Sequence, residues 1–157
     1  MYTPAEIFSL AVRLEENGEK YFRAAELKAA DPSLKKLLDW LAAEEARHRS
    51  TFMELKTAHE HERDGASWAV RMSSKALEEA VGSHTFSLEE VDFSTLRSEA
   101  EIIEAAIVLE EDSIKFYEII ASFISKPDAL AAVEEIRNQE LEHRKLLLEK
   151  KARLEIG

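Results

Sequence analysis

The sequence predicts an all-α fold, a four-helix bundle built from two similar helical hairpins joined by a long crossover. Two observations carry that expectation. The 157 residues are rich in Ala, Leu, Glu and Lys, 34% are charged, and only 4 are Gly and 3 Pro, a composition suited to long amphipathic helices. One pattern also occurs twice at an offset of 95 residues: Leu14-Glu15-Glu16 returns as Leu109-Glu110-Glu111, and Glu45-x-x-His48 returns as Glu140-x-x-His143.

The elements follow in order. Thr3-Pro4-Ala5-Glu6 is a capping box with Pro at the first helical position, and helix one runs to about Ala30. Asp31-Pro32 ends it and starts helix two, which runs to about Asp64, before Gly65. Ser98-Glu99-Ala100-Glu101 is a second capping box, opening a helix to about Phe123. Ser125-Lys126-Pro127-Asp128 opens the fourth, which continues to about Leu154. Hairpin one thus spans about 4–64, the crossover about 65–97 and hairpin two about 98–154, all in a single domain of residues 1–157. In the crossover, Trp68 to Val81 reads as a short helix broken at Gly82-Ser83-His84. A connection this long lets helix three run parallel to helix two, unlike an up-down-up-down bundle. The halves also match at Ala5/Ala100, Ile7/Ile102, Lys20/Lys115, Pro32/Pro127 and Arg49/Arg144, which reads as a duplicated hairpin paired about a pseudo-twofold axis.

Composition excludes several roles. The net charge of −11 argues against nucleic acid, whose phosphates demand a basic face, and against an anionic membrane surface. No apolar run reaches the roughly 18 residues of a membrane helix. The chain has no Cys, so disulfides, thiolate ligands and cysteine nucleophiles are absent. The expected location is the cytoplasm.

The repeated motif has a physical reading. Residues i and i+3 share a helix face, so Glu-x-x-His offers one oxygen and one nitrogen ligand to one ion. Each half also carries two adjacent glutamates, and the helical wheel chooses between them. Glu110 lies among Ile103, Ile107, Ile114, Tyr117 and Ala121, whereas Glu111 sits beside Glu104 and Glu118. Glu15 lies near Phe8, Ala11, Val12 and Phe22, whereas Glu16 neighbours Arg13, Lys20 and Arg23. Glu15 and Glu110 therefore face inward. Glu45 shares a stripe with Leu34, Leu38, Leu41 and Phe52, and Glu140 shares one with Ala129, Val133, Ile136 and Leu147. Measured from the Asp31 turn, Glu15 and Glu45 come within about 3 Å in height at 1.5 Å per residue. Two like charges about 4 Å apart repel by about 4 kcal/mol at an effective dielectric of 20, so four buried carboxylates need cations or protons. Carboxylate plus imidazole suits iron or manganese.

Other residues carry weaker signals. Glu44 and Gln139 precede Glu45 and Glu140 and sit four before each His. Either each holds an imidazole N–H across the bundle or each is a surface polar residue. Tyr117 reads as a hydrogen-bond donor to a ligand carboxylate, with core packing as the alternative. Tyr21 and Trp40 read as packing. His59, His61 and His84 read as surface histidines, and Glu19 and Glu26 as a solvated face.

Nearly the whole chain resembles the rubrerythrin-like branch of the ferritin-like superfamily. The echoes are Leu14-Glu15-Glu16-Asn17-Gly18-Glu19-Lys20-Tyr21-Phe22, Trp40-Leu41-Ala42-Ala43-Glu44-Glu45-Ala46-Arg47-His48, and Leu109-Glu110-Glu111-Asp112-Ser113-Ile114-Lys115-Phe116-Tyr117. The resemblance implies two iron ions, with Glu15 and Glu110 as terminal ligands, Glu45 and Glu140 as bridging carboxylates, and His48 and His143 as one nitrogen ligand per iron. Manganese or zinc would be substitutes. Family sites place a small residue three after the first Glu, as at Gly18 and Ser113, and often Tyr seven after, as at Tyr117 but not Phe22. Two departures stand out. Full rubrerythrins carry a Cys-rich rubredoxin module, and this chain has no Cys. They also have an extra Glu where this chain has Ser113. The resulting expectation is a di-iron carboxylate oxidoreductase that oxidises Fe(II) and reduces peroxide or dioxygen. It would use a separate electron-donor protein and form a homodimer. The alternatives are a ferroxidase for iron handling or storage, and a non-catalytic metal-binding bundle.

Overall fold

A computed structural model describes residues 3–61, 96–122, 124 and 126–156. The Trp68–Val81 helix and the Gly82-Ser83-His84 break lie outside the described residues. Four helices account for most of the rest: α1 (Pro4–Lys28), α2 (Pro32–Ala58), α3 (Glu99–Ala121) and α4 (Pro127–Ile156). None is long and apolar enough to cross a membrane.

Each start follows its local chemistry. The Thr3 hydroxyl accepts from the Glu6 N–H while the Glu6 carboxylate accepts from the Thr3 N–H, completing the expected capping box. The Asp31 carboxylate caps α2 by accepting from the Leu34 N–H, with Pro32 at the first turn, where no amide hydrogen is needed. Ser98 caps α3 through the Glu101 N–H. The second capping box, however, is not closed as the sequence suggests: the Glu101 carboxylate accepts from Arg97, one residue before the cap.

The ends differ from the expected ones, most at α2, which ends six residues before the expected Asp64. α1 stops at Lys28 because Ala29 turns extended (φ −69°, ψ 137°), which lets the N–H groups of Ala30 and Asp31 both donate to the Glu99 carboxylate of α3, at 2.8 and 2.7 Å. α2 stops at Ala58. His59 leaves the helix, its N–H still bonded to the Leu55 carbonyl, and its ring lies 5.9 Å from that of Phe8. His59 is therefore buried rather than a surface residue, while His61 is exposed. α4 runs two residues beyond the expected Leu154.

Packing fixes the directions. Ile7, Phe8 and Ala11 from the start of α1 share an apolar cluster with Phe116, Tyr117 and Ile120 from the end of α3, and with Val133 and Ile136 of α4. Tyr21 and Phe22 share the opposite cluster with Ile102 and Ile103 from the start of α3, and Leu34 and Leu38 of α2 share it with Leu147 near the end of α4. Thus α1 lies antiparallel to α3 and α2 antiparallel to α4. The two hairpins meet about a pseudo-twofold axis, with α2 and α3 parallel, as the long crossover requires. The two apolar clusters cap the bundle from both ends and leave a polar layer between them.

The Asp31 turn joins three elements, because its carboxylate also meets Lys150 of α4 at 2.8 Å. That contact and the hydrogen bonds from Ser33 and Leu34 hold its pKa down near 2. Replacing Asp31 by Ala should lower stability by about 1–2 kcal/mol through loss of the cap. Asp31→Asn, which can still cap, should lose less, because only the solvent-screened ion pair with Lys150 goes. Urea midpoints of the two variants check the order. Equal losses would show that the Lys150 contact, not the cap, holds the turn.

Candidate metal centre

Each helix sends one or two polar side chains into the layer between the apolar clusters. α1 contributes Glu15, α2 Glu45 and His48, α3 Glu110, and α4 Glu140 and His143. All six are at most 3% exposed. Their neighbours at helical spacing are the apolar residues read from the wheel, including Phe8, Leu41, Ile103 and Val133. The rejected neighbours behave as expected: Glu111 is exposed and Glu16 half-buried.

The six residues form two overlapping groups. Glu15, Glu45, His48 and Glu140 bring one ligand atom each to within 4.8 Å of one another, and so do Glu45, Glu110, Glu140 and His143. Glu45 and Glu140 belong to both groups and so lie between them. Both imidazoles turn Nδ1 inward. His48 Nδ1 is 2.8 Å from Glu140 Oε1 and 3.5 Å from Glu15 Oε2. His143 Nδ1 is 3.6 Å from Glu140 Oε2, 3.7 Å from Glu110 Oε1 and 3.9 Å from Glu45 Oε1. The two rings stack, with centroids 5.6 Å apart and planes 12° from parallel.

A close approach makes room for Glu45. A Cβ on Gly18 would stand 3.3 Å from the Glu45 carboxylate, so the small residue allows that carboxylate its place. The corresponding position in the second half is Ser113, which is buried.

The layer's donors fit divalent cations. Buried polar atoms almost always have hydrogen-bond partners. Here Glu15 Oε2, both Glu110 oxygens, Glu140 Oε2 and both His143 nitrogens have none. Several unpartnered donor atoms converging in one buried layer, all oxygen and imidazole nitrogen, are what iron or manganese would take.

Without a cation the groups compensate one another. Burial, then the charges of Glu140 and Glu15, push the Glu45 carboxyl well above its ordinary range. Burial alone would lower the His48 pKa, but its hydrogen bond to Glu140 and the neighbouring Glu15 and Glu140 carboxylates outweigh this and raise it to about 10. Burial alone would raise Glu140, but His143 and His48 outweigh it and hold the carboxyl low. Burial, then the Glu15 charge, raises Tyr117, whose hydroxyl donates to Glu15.

Outside the ligand layer, Gln139 Oε1 accepts from His48 Nε2 at 2.7 Å and from Arg47 Nη2 at 3.0 Å. Glu44 lies 3.8 Å from His143 Nε2, beyond hydrogen-bond reach, and is held instead by Arg47 Nε at 2.8 Å. Arg47 thus joins both residues that face the outer imidazole nitrogens. The sequence reading missed it, although a signal was present: its counterpart 95 residues on is Glu142, so the repeat breaks there. Trp40 packs as expected, but against the His143 ring, edge to face at 5.2 Å, while remaining half-exposed. A surface depression of about 250 Å³ opens over Trp40, Glu44, Gln139 and His143. Tyr21 is a packing residue whose hydroxyl donates to the Ile102 carbonyl. Glu19 pairs with Arg49 at 2.7 Å.

The raised groups set a pH dependence for the metal-free protein. The His48 contribution to stability is complete below its ordinary value of 6.5 and is lost as pH rises through about 10. The raised Glu45 acts in the same direction, and the lowered Glu140 opposes it only on acidification below about 4.5. In chelator, the urea midpoint should therefore fall between pH 6.5 and pH 9. A midpoint unchanged across that interval would contradict this charge arrangement.

Comparison with known proteins places this geometry. No curated protein sequence matches the chain. A Thermotoga maritima protein described as ferritin-like and diiron-carboxylate superposes over 96% of this chain and 95% of its own, with 24% identity and a TM-score of 0.67. A hypothetical protein from Pyrococcus furiosus superposes over 96% of this chain and 89% of its own, with 16% identity and a TM-score of 0.70. At these identities both speak to the fold, which is the ferritin-like one. The family model for rubrerythrin matches residues 6–151, almost the full length, and the chain belongs to the rubrerythrin family.

Proposed function

We propose that this chain is a di-iron oxidoreductase that couples Fe(II) oxidation to reduction of peroxide or dioxygen. The observation that carries the reading is the pair of overlapping four-ligand groups sharing Glu45 and Glu140. Glu15 with His48 would serve one ion and Glu110 with His143 the other, with Glu45 and Glu140 common to both. Manganese or zinc would occupy the same donors without the same redox chemistry. Two bound Fe(II) would supply the two electrons that hydrogen peroxide, with two protons, takes up to become two waters.

The protein's own part is positional. Buried carboxylates offset the positive charge of the cations. The apolar clusters at both ends keep bulk water from the layer. The Tyr117 hydroxyl and the Gln139 amide fix the orientation of Glu15 and His48. Electrons for repeated turnover would come from a donor centre outside these 157 residues, which contain no Cys to hold an iron–sulfur or rubredoxin-type centre.

Metal counting tests the ligand assignment. Wild-type protein titrated anaerobically should take up two Fe(II), Glu110→Ala should keep one, and Glu111→Ala should keep two. The reverse result for the two glutamates would overturn the assignment.

Stopped-flow absorbance tests the chemistry. The Fe(II)-loaded chain should react with hydrogen peroxide in one fast turnover and then stall in the oxidised state. Sustained peroxide consumption should need an added rubredoxin-like donor and its reductase. Steady consumption with NADH and the purified chain alone would contradict the separate donor, and net iron accumulation would favour a ferroxidase.

A further inference from the structure

We propose that the two metal positions are unequal: the Glu15–His48 position is held ready by hydrogen bonds from outside, and the Glu110–His143 position is not. This rests on the di-metal reading above and adds which ion binds first.

The duplication supplies an internal comparison, because every residue around one position has a counterpart 95 residues away around the other. The inner layer obeys the repeat: Glu15 and Glu110, Glu45 and Glu140, and His48 and His143 are identical in type. The residues that touch them from outside do not. Tyr117 donates its hydroxyl to Glu15, whereas its counterpart Phe22 has none to give Glu110. Gln139 accepts from His48 Nε2 at 2.7 Å, whereas its counterpart Glu44 stops 3.8 Å short of His143 Nε2.

Further supports accumulate on the same side. The Gln139 carbonyl is braced by Arg47, and its amide nitrogen lies 3.4 Å from Glu135 Oε1. Arg47 simultaneously draws Glu44 to itself, and the counterpart of Arg47 is Glu142, which could not brace a carboxylate. Unpartnered atoms record the outcome. Glu15 has one oxygen without a partner and His48 has no such nitrogen. Both oxygens of Glu110 and both nitrogens of His143 are without one. His143 is instead packed against the Trp40 ring, where the counterpart residue is Glu135.

Hydrogen bonds of this kind fix ring orientation and carboxylate placement before the ion arrives, and their loss typically costs 10–100-fold in metal affinity. The His48 position should accordingly fill first, with about tenfold or greater tightness. At limiting metal the chain would hold one ion there, and two-electron chemistry would begin only as the His143 position fills.

Single-position variants measure this directly. His143→Ala isolates the His48 position and His48→Ala isolates the other. Each is titrated anaerobically with Co(II), whose visible absorption reports coordination without redox change. The His143→Ala protein should bind Co(II) at least about tenfold more tightly than the His48→Ala protein. Adding Tyr117→Phe to His143→Ala should weaken binding about tenfold. Adding Tyr21→Phe, which removes a buried hydroxyl that donates to the Ile102 carbonyl, should leave binding unchanged. Equal affinities, the reverse order, or a Tyr117→Phe effect no larger than that of Tyr21→Phe would overturn the proposal while leaving the di-metal reading intact. Wild-type protein that takes up no Co(II) and no Fe(II) would overturn both.

Discussion

Four carboxylates buried in one layer are the constraint around which the rest of this molecule is arranged. Each repels the others, and burial removes most of the solvent screening. The metal-free chain meets the difficulty with its own protons, by keeping His48 charged well above neutrality and the Glu45 carboxyl protonated far above its ordinary range. That solution leaves several donor atoms in the same layer without partners. Divalent cations would satisfy charge and coordination together, which is why a cluster so costly to bury alone is consistent with a loaded centre.

The helices are organised to hold that layer still. Two apolar clusters clamp the bundle above and below it, so none of the four helices can slide without dragging a glutamate through hydrocarbon. The turn between α1 and α2 is tied to α3 through Glu99 and to α4 through Lys150, which joins the two hairpins at one end of the bundle. Near the layer itself the allowance is a few tenths of an ångström, since Gly18 gives Glu45 room that an extra methyl would contest. Rigid elements carrying inward side chains are the arrangement that places ligands most accurately.

Most of this was legible in the sequence because it depends on periodicity. Choosing Glu15 over Glu16 and Glu110 over Glu111 needed only the angle between each glutamate and its apolar neighbours, and burial follows that angle. What periodicity does not encode was read less well. The Glu101 side chain chose the Arg97 amide over the cap residue, and His59 folded inward onto Phe8. Each outcome depends on tertiary space rather than on local pattern. Arg47 was overlooked for a related reason: a charged residue on a helix face reads as solvated until the facing helix shows Gln139 beside it. Glu44 and Gln139 had the right spacing to face the imidazoles, but spacing alone does not tell a contact of 2.7 Å from one of 3.8 Å.

The pattern of repeat and exception separates two kinds of demand on the chain. Residues that would touch a metal are the same in both halves, as they must be if two ions of one kind share two carboxylates. Residues one layer further out differ at Phe22/Tyr117, Trp40/Glu135, Glu44/Gln139 and Arg47/Glu142, all next to the ligands. At each of these four pairs one residue takes part in a hydrogen bond that supports the Glu15–His48 side, and its counterpart supplies none to the other. A symmetric inner shell within an asymmetric outer one gives two chemically identical donor sets different degrees of readiness, and the difference lies in orientation rather than in ligand identity.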